Sequence, residues 1–470
     1  MKKTNKVICK SKIIMVGFGG IGQALLPLIF AHFDVMPSQI FIISKTDEGK
    51  DLARQSGVDF KLGEITAENI NSLLGPQLNP DDFLLNMSVG VSSLELIELC
   101  QDKKTLYLDL STEPWDGTYT NSNLKPAERS NYALRESVLH LKGQNRSTAV
   151  ITHGANPGLV SHFVKQALLN IAEDNEMKLG TVPKTAFEWA HLAFSLGIKV
   201  IHIAERDTQI TSKHRLPKEF INTWSVDAFI KELEQPAELG WGTHEKHWPD
   251  DGFSHNKGSQ SAIFLDRCGA STRIRSWTPG LGAYHGFLVT HAESISIAEY
   301  LTVKDKEKML YRPTVHYAYL PCPAAVLSIN DLVGAEYPNP KVNTLITDNI
   351  LDGYDELGVL LMGNKKGAYW FGSHLSIHEA RKLFAQSNAT NLQVVAGAIS
   401  GMLWAYNNRD RGLVEPEEMD FEYILDIAKP YLGEFGGHYT DWTPLTNRNV
   451  LFKENLDWDD PWQFLNMRVS

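Results

Sequence analysis

The stretch KIIMVGFGGIGQALLPLIFAH, residues 12–32, decides the fold of the amino-terminal part of the chain. Ile13 to Val16 read as a buried strand, a glycine-rich turn follows, and an apolar helix leaves the turn. Gly17, Gly19 and Gly22 stand in the G-x-G-x-x-G spacing. The first glycine permits a tight turn, the second lets a pyrophosphate approach the backbone, and the third lets helix and strand pack closely. A phosphate placed there meets the unpaired N–H groups of the helix start, at Gly20 and Ile21.

The continuation gives the motif its context. QIFIIS (39–44), DFLLNMSV (82–89), TLYLDLS (105–111) and TAVITHG (148–154) are further apolar runs, with helical segments between them. Strands alternating with helices form a parallel sheet. The expected class is therefore α/β, with a Rossmann-type dinucleotide-binding domain over residues 1–155. Ligands bind beyond the carboxyl ends of such strands. That nominates Ser44, Asn86 to Ser88, Asp109 to Glu113, and Ala155 and Asn156 in the turn THGANPG. An acid to hold the ribose hydroxyls is missing from the end of the second strand, which reads Ser44-Lys45-Thr46, and Asp47 comes late. Taken alone, Lys45 could favour a 2′-phosphate, so these residues leave NAD and NADP open.

Beyond Asn156, LVSHFVKQALLNIAED has helical spacing and leaves the first domain. Strand-like runs such as KVIHIAERDTQ then mix with loops rich in Gly and Trp, such as ELGWGTHEKHWPDDG. Residues 156–385 are expected to form an α+β substrate and dimerisation domain. NLQVVAGAISGMLWAYNN is a helix of small residues with Val394, Val395, Ala398, Ile399, Met402 and Leu403 on its apolar face. Residues 386–470 are expected to be carboxy-terminal helices and a tail that return to the first domain. Trp442, Trp458 and Trp462 make the tail too aromatic for a disordered one.

Composition narrows the function. A chain of 470 residues is long enough for two or three domains. Its net charge of −11 argues against nucleic acid or an anionic membrane, both of which demand a basic face. Cys9, Cys100, Cys268 and Cys322 are far apart and lack paired metal spacing, so reduced thiols and no metal site are expected. The basic start and apolar run resemble a signal peptide. However, four glycines, Gln23 and Pro27 interrupt the run, and no small-residue cleavage site follows. A cytoplasmic protein is expected.

NTWSVDAFIKE, residues 222–232, has a local account: Ser225 as N-cap, Asp227 in the first turn, and Trp224 with Phe229 as a hydrophobic staple. The indole and Glu232 could also wall a pocket for a cation. Glu205 ends the run KVIHIAE, Asp355 lies in DGYDELGVLL, and His291 follows an apolar run in LVTHAES.

GFGGIGQALLPL, NPGLVSHFVKQAL, IHIAERDTQ, NTWSVDAF, QPAELGWGTHE and GFLVTHAESISIAEYL together resemble the bacterial homospermidine synthases, relatives of the saccharopine dehydrogenase group. The match covers nearly the whole chain. It implies a Rossmann domain carrying an inserted α+β domain, a homodimer and tightly held NAD. It also implies aminobutyl transfer from one putrescine to another through oxidation, imine exchange and reduction. Putrescine is the implied substrate, with other polyamines such as spermidine as further candidates. The resemblance puts Trp224 over the substrate amine and Glu205, Glu232 and Asp355 in the amine pocket. His291 and Asn156 fall near the reacting centre and the nicotinamide, and Glu113 in the same cleft. Glu356 competes with Asp355 in that alignment. Two alternatives differ in class. A net NAD(P)-dependent dehydrogenase of the saccharopine or carboxynorspermidine kind needs a basic clamp, for which Arg273 and Arg275 in STRIRSWTPG are candidates. A catalytically silent NAD-binding sensor needs no convergence of the acidic residues.

Overall fold

The run Ile13–Val16 forms strand β1, buried at all four positions, as expected of a strand covered on both faces. It feeds helix α1, Gly20–His32. Strands β2 (Ile40–Ser44), β3 (Asp59–Leu62), β4 (Phe83–Asn86), β5 (Leu106–Asp109) and β6 (Ala149–Val150) follow. All pair in parallel, in the spatial order β3-β2-β1-β4-β5-β6. The order reverses between β1 and β4, which opens a crevice beyond their carboxyl ends. Leu413–Val414 joins β6 as a further parallel strand from far along the chain. The computed structural model describes residues 6–144, 146–306, 308–337 and 339–469.

The second layer begins with α2 (Leu159–Asp174), whose apolar side packs on a large mixed sheet. Elements used below are β7 (Val200–Asp207), α3 (Val226–Glu234), α4 (Ala292–Tyr300), β8 (Thr314–Leu320), β9 (Tyr354–Asn364) and β10 (Gly367–Ser376). At the centre of the sheet β8 runs parallel to β7, β7 antiparallel to β9, and β9 antiparallel to β10. Pro236–Gly240, Ala262–Cys268 and Gly252–Ser254 extend the β8 side.

The chain then returns through α5 (Ala389–Asn407), buried along most of its length and packed on α1. A Cβ on Gly397 would overlap the carbonyl oxygen of Gly154. Only glycine lets α5 press this closely on the turn that carries Asn156. Residues 386–470 do not return to the first domain as one segment, which corrects the expectation for the tail. Glu434–Thr440 pairs with β10, and Arg468–Val469 pairs with Arg273–Thr278, both in the second sheet. β10 otherwise presents an open edge of N–H and C=O groups, and the tail satisfies it. Trp442 and Trp462 bury against this sheet, while Trp458 stays half exposed.

Candidate active site

The glycine turn leaves β1 with Gly17 at φ +86°, where a Cβ would come within 2.9 Å of the Met87 carbonyl oxygen. Gly19 faces open space, with nothing within 4 Å of where its Cβ would stand. It caps α1 without a side-chain hydrogen bond, and the first turn holds no acid. Free N–H groups, room at the backbone and no opposing charge fit a dinucleotide pyrophosphate. A Cβ at Gly20 would overlap Leu345, and one at Gly22 would meet Phe18 at 3.0 Å. Ser44 is buried at the end of β2, and the nearest acid bonded to α1 is Glu48, which accepts from Gln23 Nε2 at 3.3 Å.

Across the crevice the second sheet presents one face. Pairing sets Glu205 of β7 beside Tyr319 of β8 and Leu357 of β9, and Asp207 beside Asp355. Because side chains alternate along a strand, Glu205, Asp207, Asp355, Tyr317 and Tyr319 share that face. Glu356 lies on the other, where its Oε1 accepts from the Gly280 N–H at 2.7 Å. The register therefore separates the two neighbouring acids. Glu205 Oε2 accepts from Tyr317 OH at 2.5 Å and from Asn156 Nδ2 at 2.7 Å. Burial pushes the Glu205 carboxyl up to about 7 against those two hydrogen bonds.

The helix start around Trp224 forms as local rules predict. Ser225 Oγ accepts from the Ala228 N–H at 3.3 Å, and the Trp224 and Phe229 rings lie 5.0 Å apart. The indole Nε1 donates to Tyr319 OH at 3.1 Å, which ties the staple to the second sheet. Near the end of α3, Glu232 Oε2 lies 3.1 Å from His291 Nε2. Glu113 comes from the first domain, where its Oε2 accepts from the Gly90 N–H at 3.3 Å, and burial raises it to about 7.

Ile21, Ser88, Glu113, Ala155, Asn156, Glu205, Trp224, Glu232 and His291 thus line one cleft of about 840 Å³, counting the space at its mouth. No lysine or arginine is among its lining residues. Arg273 lies over the Phe287 ring at 3.4 Å and Arg275 donates to the Thr446 carbonyl, so neither reaches the cleft.

Two nominated residues stand elsewhere. Asp109 is fully buried, and its oxygens accept from the Thr152 N–H at 2.6 Å and from Tyr107 OH at 2.9 Å. It braces the turn leading to Asn156 and is not among the residues that line the cleft. Asp355 is likewise buried, bonded through Oδ2 to Thr390 Oγ1 at 2.6 Å. Thr390 lines the cleft and Asp355 stands behind it. Sequence reasoning missed Tyr317 and Thr390 among the lining residues, and Glu293 behind His291. The alternation in VHYAYL could have marked Tyr317, whereas Glu293 looks like an ordinary acid in a first helical turn.

Known proteins resemble the chain along its length. The saccharopine dehydrogenase NADP binding domain matches residues 13–152 and the saccharopine dehydrogenase C-terminal domain residues 154–441. A homospermidine synthase of Blastochloris viridis is 49% identical over 463 residues, 97% of each chain. Another, of Mesorhizobium japonicum, is 48% identical over 465 residues, 97% of this chain and 96% of the other. The crystal structure of homospermidine synthase from Legionella pneumophila in complex with NAD has a TM-score of 0.93 at 55% identity, covering 99% of both chains.

Proposed function

The chain belongs to the homospermidine synthase family, and from that premise we propose that its cleft joins two putrescines into homospermidine, with release of ammonia. The observation that carries this reading is the lining of the cleft. Glu113, Glu205 and Glu232 converge with an indole, and the lining residues include no lysine or arginine. That environment suits a diamine dication and lacks the arginine clamp of a substrate carboxylate.

When bound, NAD takes a hydride from the carbon beside the amine and later returns it. The chain supplies the rest. Hydride leaves only from a carbon beside a neutral amine, while a free alkylammonium titrates near about 10.4. A partly desolvated cleft lowers that value, and Glu205, poised near neutrality, takes the proton. Asn156 and Tyr317 aim its Oε2, and Oε1 makes no hydrogen bond among the described residues. The iminium left on the substrate is cationic, and the Trp224 face attracts it by about 0.5–2 kcal/mol. The neutral amine of a second putrescine adds to the iminium carbon, and ammonia leaves. Hydride return to the new iminium gives homospermidine, so the cofactor ends as it began. Glu232 and Glu113 hold distal ammonium groups.

In this reading residues 1–155 carry NAD and residues 156–385 carry the amine and the dimer contacts. The homodimer and the acceptance of spermidine rest on family resemblance, and the cytoplasmic location on the separated cysteines and the glycine-interrupted apolar run near the amino terminus. Among the described residues, no helix is long and apolar enough to cross a membrane.

Incubation with putrescine and NAD, following polyamines and NADH together, tests the function. Homospermidine should form without stoichiometric NADH. Steady NADH release would favour a net dehydrogenase, and absence of turnover a silent NAD-binding protein.

A further inference from the structure

His291 has a carboxylate oxygen on each side of its ring. Nε2 lies 3.1 Å from Glu232 Oε2, and Nδ1 lies 3.1 Å from Glu293 Oε1. A neutral imidazole carries a single N–H, so one contact would set a bare lone pair against a carboxylate oxygen. The doubly protonated ring satisfies both. Glu293 is 1% exposed and its Oε2 has no hydrogen-bond partner, although the first turn of α4 favours its charge. A carboxylate buried in this way needs a cation beside it. Lys231, in the adjoining recess, is engaged by Asp116 at 2.7 Å.

The surroundings reinforce the charged ring. Burial opposes it, but Glu293 first and Glu232 next outweigh burial and hold His291 well above the ordinary histidine range. Glu205 on β7 adds a third negative influence. From β8, the Tyr317 ring lies tilted at 36° with its centroid 4.5 Å away, and its hydroxyl is committed to Glu205. Across the recess stand Glu113, Tyr119 and Lys231, and Lys231 is the only cation of the three.

We propose that Glu293 is a positioning residue that keeps His291 doubly protonated throughout the neutral range. So charged, His291 has no lone pair to accept the substrate's proton, which leaves that task to Glu205. Its own task is to hold Glu232 at the cleft wall. Glu232, His291 and Glu293 then carry one net negative charge together, which matches one ammonium. This catalytic consequence rests on the proposed function. The protonation state does not.

The full-length protein labelled with nitrogen-15 histidine reports that state directly, with His291→Gln identifying the resonance. In the wild type both ring nitrogens should keep imidazolium shifts from about pH 6 to about pH 8.5. In Glu293→Gln the ring's pKa should fall by about 1–3 units and titrate inside that window. The kcat profile of the variant should then gain an alkaline limb that the wild type lacks, because Glu232 loses its holder as the ring deprotonates. A neutral His291 ring at pH 7 in the wild type overturns the proposal without use of any variant. So does Glu293→Gln with an unmoved ring titration and an unmoved profile. A charged ring in a protein that makes no homospermidine supports the proposal and overturns the function.

Discussion

Tyr317→Phe isolates the proton acceptor. The hydroxyl donates to Glu205 Oε2 at 2.5 Å, beside the 2.7 Å bond from Asn156. The substitution keeps the ring and removes one of two hydrogen bonds to the ionised carboxyl. A hydrogen bond to a charged group contributes about 1.5–3 kcal/mol, which at about 1.36 kcal/mol per unit is about 1–2 units of pKa. Glu205 starts from about 7, so it should move to about 8–9. At pH 7 the ionised fraction would fall from about one half to between about a tenth and a hundredth. An acceptor must be ionised to take a proton, so kcat at pH 7 should fall about 5–50-fold. The rising limb of the kcat profile should move toward alkaline pH by the same 1–2 units, roughly. The assay is chromatographic quantitation of homospermidine across pH, with NAD affinity measured in parallel as a check on folding. An equal loss at every pH, with the limb unmoved, would refute the assignment of Glu205.

Trp224→Ala should lose about 2–30-fold more kcat/KM for putrescine than Trp224→Phe, which retains a π face for the cation. Wild-type activity in both variants would remove the cation–π role. Asp355 bears on stability instead. Burial first, then the charges of Glu205 and Asp207, hold its carboxyl well above the ordinary range. A carboxyl raised on folding contributes stability that is full below the unfolded pKa of about 3.9 and is lost as pH rises through the folded value. Asp355→Asn lacks that dependence. The melting temperature of Asp355→Asn minus that of the wild type should therefore increase from about pH 4 to about pH 8. A flat or falling difference would rule out a neutral buried carboxyl.

Much of the first domain was legible because its determinants are local. Gly17, Gly19 and Gly22 specify backbone geometry at fixed offsets, and the apolar runs 39–44, 82–89, 105–111 and 148–154 each contain a strand of the parallel sheet. The cap and staple at Trp224 were legible for the same reason, since every partner lies within a few residues. Asp109 shows where locality runs out. Its place at a strand end was right, but its carboxylate turns inward to hold Thr152 in a left-handed conformation, φ +54°. The tail went astray similarly, because no local pattern says that β10 leaves an edge for residues 434–440 to cover.

The sequence by itself determined a dinucleotide-binding α/β domain and a set of acidic, aromatic and histidine candidates, because short-range periodicity and glycine geometry encode them. Tertiary structure alone decided which candidates meet. Strand register put Asp355 on the face of Glu205 and sent Glu356 to the other, a distinction that one residue of slippage would reverse. Packing between elements distant in the chain brought Glu113, Asn156, Glu205, Trp224, Glu232 and His291 around one cleft. It also set Glu293 behind His291. Charge and protonation depend on such through-space neighbours and on burial, and neither is a property of adjacent residues.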